Sequence, residues 1–251
     1  MTQLEPFSNA PISEAVLDIR LHADGAPTFA DLDRYVQAVK TEYPQSKKLG
    51  EIRAELRADL GAGETPQFTQ TASSEPVGYQ CISEDCRQIV QPRVNGFVFS
   101  RLRPYDRWAT FKGEARRLFE LYTTQFGARA VQRLAIRTIN RLDIPARRVD
   151  FKEWIRTGPE ISPALPQGLA GFFMQLQQPY DDVKAQCIIN ETLAPPEMPN
   201  TVAVILDIDL VRVEEIPQDP EKLWALLDQL RDKKDEIFLG CITQKMMETF
   251  K

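Results

Sequence analysis

The most regular alternation in the chain runs from Val131 to Pro145. Leu134, Ile136, Thr138, Asn140 and Leu142 fall on one parity, and Arg133, Arg137 and Arg141 on the other. Successive side chains of a strand point to opposite faces. This stretch is therefore expected to be a long central strand with one core face and one row of guanidinium groups, roughly 13 Å between neighbours. Residues 9–22 repeat the pattern after Pro11. Ala15, Leu17, Ile19 and Leu21 oppose Glu14, Asp18, Arg20 and His22, as in a strand with one face wetted. Between Leu49 and Leu60 the two criteria disagree. Ile52, Ala54, Leu56, Ala58 and Leu60 alternate with Glu51, Arg53, Glu55, Arg57 and Asp59, yet Ala, Glu, Leu and Arg favour helix. The period decides for strand, because a helix would spread these charges all round.

Shorter strands are expected at 77–82, 87–93 and 96–102, with Asn95-Gly96 a strong hairpin signal. Gly61 to Ser74 reads as a loop with a short strand at 67–71. Three more strands are expected at 171–178, 183–191 and 202–211, with Tyr180-Asp-Asp as the first turn between them. Helical spacing appears over Phe29–Tyr43 with Thr28 as cap. It recurs from Asp106 to Gly127, and from Pro220 behind an Asp219 cap towards the C-terminus. Asp150 is expected to cap a short helix through Trp154.

These elements make an α+β protein: an antiparallel sheet with helices packed on one face. Their order also repeats. Strand, helix, strands and long helix fill residues 1–128, and the same series fills 129–251. Two tandem β-α-β(3-4)-α halves, TATA-binding-protein-like or helix-grip-like, packed as one continuous unit, would leave the other sheet face concave and open. That comparison is a fold analogy alone. The polar parities of the strands would then look into one concavity.

Composition narrows the chemistry. A net charge of −5 is unlike a general nucleic-acid binder. The single histidine, His22, removes most histidine-based acid–base and triad chemistry. Cys81 and Cys86 lack the spacing and the histidine company of a zinc site, so no metal and no cofactor is expected. No apolar run of about 18 residues suggests a membrane helix. The N-terminus has no basic region followed by an apolar one, and a cytoplasmic protein is expected.

The candidate ligand-binding residues are Arg133, Arg137 and Arg141 with Arg20, Glu14, Asp18, Arg53, Arg57, Asp207 and Asp209. Aligned arginines suit an anion. Carboxylates two residues apart on one strand face suit Mg²⁺ or general acid–base work. The competing reading, favoured for both sets, is a cross-strand ion network in which each sign neutralises the other. Tyr105, Trp108, Phe111 and Trp154 can stack on bases, but their helical spacing favours core packing.

Three stretches carry a resemblance: Asn-Ala-Pro-Ile-Ser-Glu-Ala at 9–15, Phe-Val-Phe-Ser-Arg-Leu-Arg-Pro-Tyr-Asp-Arg-Trp at 97–108, and Arg-Leu-Ala-Ile-Arg-Thr-Ile-Asn-Arg-Leu at 133–142. Together they resemble a sporadically distributed bacterial family of chains of about this length. The resemblance spans nearly the whole chain and implies no activity; mobile or defence-associated loci are the context it suggests. That family often has a His in its last helix where this chain has Lys233 or Lys234, so a role built on that His does not carry over. The expected function is a non-enzymatic binding protein that holds a partner protein or an anionic ligand on an open sheet face or an edge of the sheet, in a toxin-neutralising or defence-regulating role. The alternatives are a phosphate- or nucleotide-handling enzyme using the arginines and the Asp207/Asp209 pair, and a nucleic-acid-binding module.

Overall fold

The structure is a computed structural model. It describes residues 7–59, 67–146 and 149–251, and the side chains of these except for 51–59 and 67–74. Nine strands form one antiparallel sheet: β1 (Ile12–Leu21), β2 (Gln45–Asp59), β3 (Gln67–Ile82), β4 (Gln88–Arg93), β5 (Gly96–Leu102), β6 (Val131–Ile144), β7 (Phe173–Tyr180), β8 (Ala185–Ala194) and β9 (Val202–Arg212). Their order across the sheet is β2-β3-β4-β5-β1-β6-β9-β8-β7. The first strand therefore lies beside the sixth at the middle. Outward from that pair run β5, β4, β3 on one side and β9, β8, β7 on the other.

The parity expected of β1 and β6 holds. Leu17 and Ile19 are buried opposite Ile136 and Leu134, while Asp18 and Arg20 face the other way. Three helices cover the buried side: α1 (Leu32–Val39), α2 (Trp108–Phe126) and α3 (Pro220–Cys241). Phe97 and Phe99 of β5 pack on Phe119 and Phe111 of α2. Phe119 meets Trp224 of α3 edge to face. Tyr35 of α1 donates from its hydroxyl to the Leu118 carbonyl at 3.0 Å. Burial of this aromatic layer is the main source of stability. No helix among the described residues is long and apolar enough to cross a membrane.

Several expectations need correction. β3 runs unbroken from Gln67, because its Ser- and Pro-bearing middle pairs along β2 with one register shift, at Leu49/Gly50. A loop-like composition does not preclude a strand when a long partner supplies the ladder. α1 begins at Leu32, not Phe29. Thr28 caps the turn that leads into it: its hydroxyl accepts from the Asp31 N–H at 3.3 Å, and its own N–H donates to the Asp31 carboxylate at 2.9 Å. Asp106 leaves the backbone of α2 uncapped and accepts from the Thr110 hydroxyl at 3.2 Å. Asp150 does cap its segment, but only a single 3-10 turn follows. Asp219 caps α3 as expected, accepting from the Lys222 N–H at 3.0 Å with Pro220 in the first turn. Phe111 and Trp154 are core residues, and Trp108 packs against that core.

After α3 the chain leaves the helix at Ile242, bridges to Ile155 and ends in a short helix, α4 (Gln244–Met247). Glu191 of β8 lies beneath this crossing with no exposed surface. Thr157 Oγ1 donates to Glu191 Oε1, and Oε2 has no partner among the described residues. Burial pushes this carboxyl above its ordinary value near 4.5, partly opposed by the Thr157 hydroxyl. The folded chain then holds the Glu191 proton more tightly than the unfolded chain does. The contribution to stability is fully present below about pH 4.5 and is lost as pH rises through the folded value. Glu191→Gln keeps the shape and removes that loss. The variant is expected to gain about 1 kcal/mol over the wild type at pH 8 and little at pH 4. Thermal melts of both chains across that range check it; a gap independent of pH would remove the explanation.

Candidate functional site

The face turned away from the helices carries the polar parities of β1, β6 and β9. Val16, Arg137 and Asp209 stand in one cross-strand row, and Glu14, Ile139 and Asp207 in the next. This follows directly from alternation: each strand sends its aliphatic parity under the helices and its charged parity to this side.

The arginines are met by carboxylates. Arg137 donates from Nε and Nη2 to the two oxygens of Asp207, each at 2.7 Å, a bidentate pair. Asn190 Nδ2 on β8 donates to the same Asp207 at 3.1 Å. Arg133 reaches Asp18 at 3.0 Å and Asp209 at 3.7 Å. Arg20 donates to Asp18 at 3.1 Å and to the Asn95 side chain at 3.0 Å. Further along β6, Arg141 holds Asp143 at 3.1 Å and the Pro195 carbonyl at 2.8 Å. It also lies 3.6 Å from Glu197, which Arg103 holds at 3.0 Å.

The balance of sign is the informative property. At the centre, Arg20, Arg133 and Arg137 face Glu14, Asp18, Asp207 and Asp209, one carboxylate in excess. Asp207 holds the Arg137 guanidinium above its usual range, and Asp209 and Glu14 add to the effect. Glu14 and Asp209 accept no side-chain hydrogen bond among the described residues, and Arg137 Nη1 has no partner there. Burial raises the Asp209 carboxyl above its ordinary range. Arg133 and Arg137 oppose that, while Asp207 and Asp18 reinforce it. None of these groups is sealed from solvent, so each is open to a further partner.

Arg53 and Arg57 do not join this cluster. They lie on β2 at the sheet edge, four strand positions or roughly 19 Å sideways from β1, and pair with Ser73 and Thr69 of β3 beyond the Gly78–Ile82 span that β4 covers. Their side chains lie outside the described residues. The expected single concavity therefore gathers only the β1, β6 and β9 candidates. Reading from the sequence missed Asn95, Asp143, Asn190, Glu197 and Arg103. Asp143 shares parity with Arg141, and Asn190 alternates with the buried Ile189, so both were available to the same rule. Glu197 lies in a proline-bearing connection whose period carries no signal.

Asp207 and Asp209 are not disposed as a metal pair, since Arg137 occupies both Asp207 oxygens. Among the described residues no group of three or more His, Cys, Asp or Glu side chains is placed to hold a metal ion. Clefts open at the start of α2, lined by Gln88, Arg101, Arg107 and Glu114, and beside Glu42, Glu84 and Asp85. Neither includes a residue of the network. A comparison with known proteins finds no family model that matches this chain and no curated protein that matches it.

Proposed function

We propose that this chain is a non-enzymatic binding protein that holds a partner protein on the open face of its sheet, with a basic side chain of the partner seated over Arg137. The observation that carries the reading is the surplus of carboxylate there. Glu14, Asp207 and Asp209 all act on Arg137, and among the described residues Glu14 and Asp209 accept no hydrogen bond. A lysine or arginine between Glu14 and Asp209 would complete the network. A phosphate would have to displace Asp207 from a bidentate contact and sit among the remaining carboxylates, so the anion and nucleic-acid readings fit less well. The face is also broad rather than enclosed, which suits a protein surface more than a small molecule. The resemblance to a scattered bacterial family supports a toxin-neutralising or defence-regulating role for such a pair.

The test is co-purification of the wild type and of a Glu14→Gln/Asp209→Asn variant from the native host, followed by mass spectrometry. A stoichiometric protein is expected with the wild type and not with the variant, with binding that weakens as salt rises. Nucleic acid or a phosphorylated small molecule on the wild type would overturn the reading. So would a protein partner retained equally by both chains.

A further inference from the structure

The two ends of the sheet are built differently. β2 closes one end, and its sequence carries Lys47, Lys48, Glu51, Arg53, Glu55, Arg57 and Asp59, the charged dressing that protects an edge strand from further pairing. β7 closes the other end and has no charge at all. From Ile161 to Tyr180 there is no Asp, Glu, Lys, Arg or His, the longest such run in a chain that is 27% charged. The run is not buried. Phe173 is 70% exposed and Leu165 58% exposed. Depletion of charge combined with exposed aromatic surface marks the core of an interface rather than a solvated edge.

The geometry of β7 says how such an edge can be used. Pro179 lies within the strand, in register with Gln186 of β8. A proline is tolerated in an edge strand where its nitrogen faces away from the neighbour. The backbone groups of one parity share a direction, so those of Phe173, Gln175 and Gln177 also face the open edge. On the other parity the Phe172 carbonyl turns towards β8 and accepts from the Thr192 hydroxyl at 2.8 Å. The outward ladder is therefore Phe173, Gln175 and Gln177, ending where Pro179 has no N–H to give.

We propose that this edge pairs with the same edge of a second copy of the chain, antiparallel about a twofold axis through Gln175. Centring on Gln175 sets Phe173 opposite Gln177 and Gln175 opposite itself, and keeps Pro179 outside the ladder. Every position of the strip can meet its own copy without like charges in contact, which is the requirement of an isologous interface. The charged dressing of β2 gives that edge no such uncharged strip. The helices of both copies lie on one side of the joined sheet, and both open faces lie on the other. This pairing uses the backbone edge of β7 and leaves the arginine–carboxylate pairs of the central network in place; the two meet only where Gln175 Nε2 donates to Asn190 Oδ1 at 2.8 Å.

Sedimentation and light scattering of the full chain test it. The wild type is expected at twice its 28.6 kDa chain mass at micromolar concentration. Gln175→Lys and Gln175→Glu each place like charges at the axis, and each is expected to run as a monomer with only a small drop in melting temperature, because Gln175 is exposed and gives up only surface hydrogen bonds to Asn190 and Gln177. An equal mixture of the two variants is expected to return to the dimer mass, since Lys then faces Glu. A monomeric wild type overturns the proposal, as it would if the edge received a segment of some other protein. Single variants that stay dimeric, or a mixture that stays monomeric, overturn it as well.

Discussion

Gly96→Ala is expected to destabilise the chain by about 4 kcal/mol and to lower its melting temperature by roughly 10 °C. A Cβ at Gly96 would stand 2.2 Å from the Ile19 carbonyl oxygen and 3.1 Å from the Arg20 Cα. Both are backbone atoms of the central strand, so no side chain can turn aside to make room. Relief requires β5 to move off β1, which opens the pairing of Arg20 with Gly96 and of Ile19 with Phe97. The same approach lets the Asn95 carbonyl accept from the Leu21 N–H at 2.9 Å and brings the Asn95 side chain to Arg20. The variant should therefore loosen one end of the ion network as well as the core. Thermal unfolding measures the first effect, and weaker partner binding would register the second. A loss below about 1 kcal/mol would mean that the hairpin shifts without strain, and the close approach would then have no structural weight.

The second large effect is expected at Arg137. Its side chain is 43% exposed, but the Asp207 side chain it holds is only 9% exposed. Arg137→Ala leaves that carboxylate with Asn190 alone and is expected to destabilise by about 2 kcal/mol, below the range for a fully buried pair because solvent reaches the guanidinium. Removing both charges relieves the orphaned ion. Arg137→Leu combined with Asp207→Leu is expected to lie within about 1 kcal/mol of the wild type. A double-mutant cycle in denaturant gives the coupling directly. Additive losses would show that the bidentate geometry carries no mutual energy. Binding separates from stability in the same set, since the doubly apolar chain should fold well and, with Glu14 and Asp209 still in place, keep a basic partner.

Strand periodicity made the centre of the molecule legible. The alternations at Ala15–Leu21 and Leu134–Leu142 named both the core face and the charged face, because a half-buried strand leaves its period in the residues. The Asn95-Gly96 pair marked the hairpin too, but one residue out of place: the turn is Val94-Asn95, and Gly96 already pairs with Arg93 as the first residue of β5. What the period cannot carry is distance across the sheet. Arg53 and Arg57 share the charged alternation, yet strand order puts them at the far edge. Nor does it report pairing partners: Asp207 meets Arg137 diagonally, while Arg137 is in register with Asp209. Glu191 was hidden for the opposite reason. It sits on the core parity of β8 between Ile189 and Leu193, where a charged residue reads as a break in the pattern rather than as a buried acid. The β7 edge was written in the sequence as an absence of charge, a signal that strand-by-strand reading passes over.

The place of β1 in the sheet sets the order in which the chain can be assembled. It precedes every other strand in the chain, but its neighbours are β5 and β6, and Asn9 beside it is tied to the carbonyl of Phe250. One side of β1 can be filled within the first half of the chain. The other waits for Val131–Ile144, and the strap across its start waits for the last turn. Such distant pairings must meet their loop-closure entropy before any contact rewards them, which puts the chain among slow folders. Through that interval β1, with its apolar row from Ala15 to Leu21, has a bare backbone edge, so during synthesis the middle of the finished sheet is exposed to wrong partners.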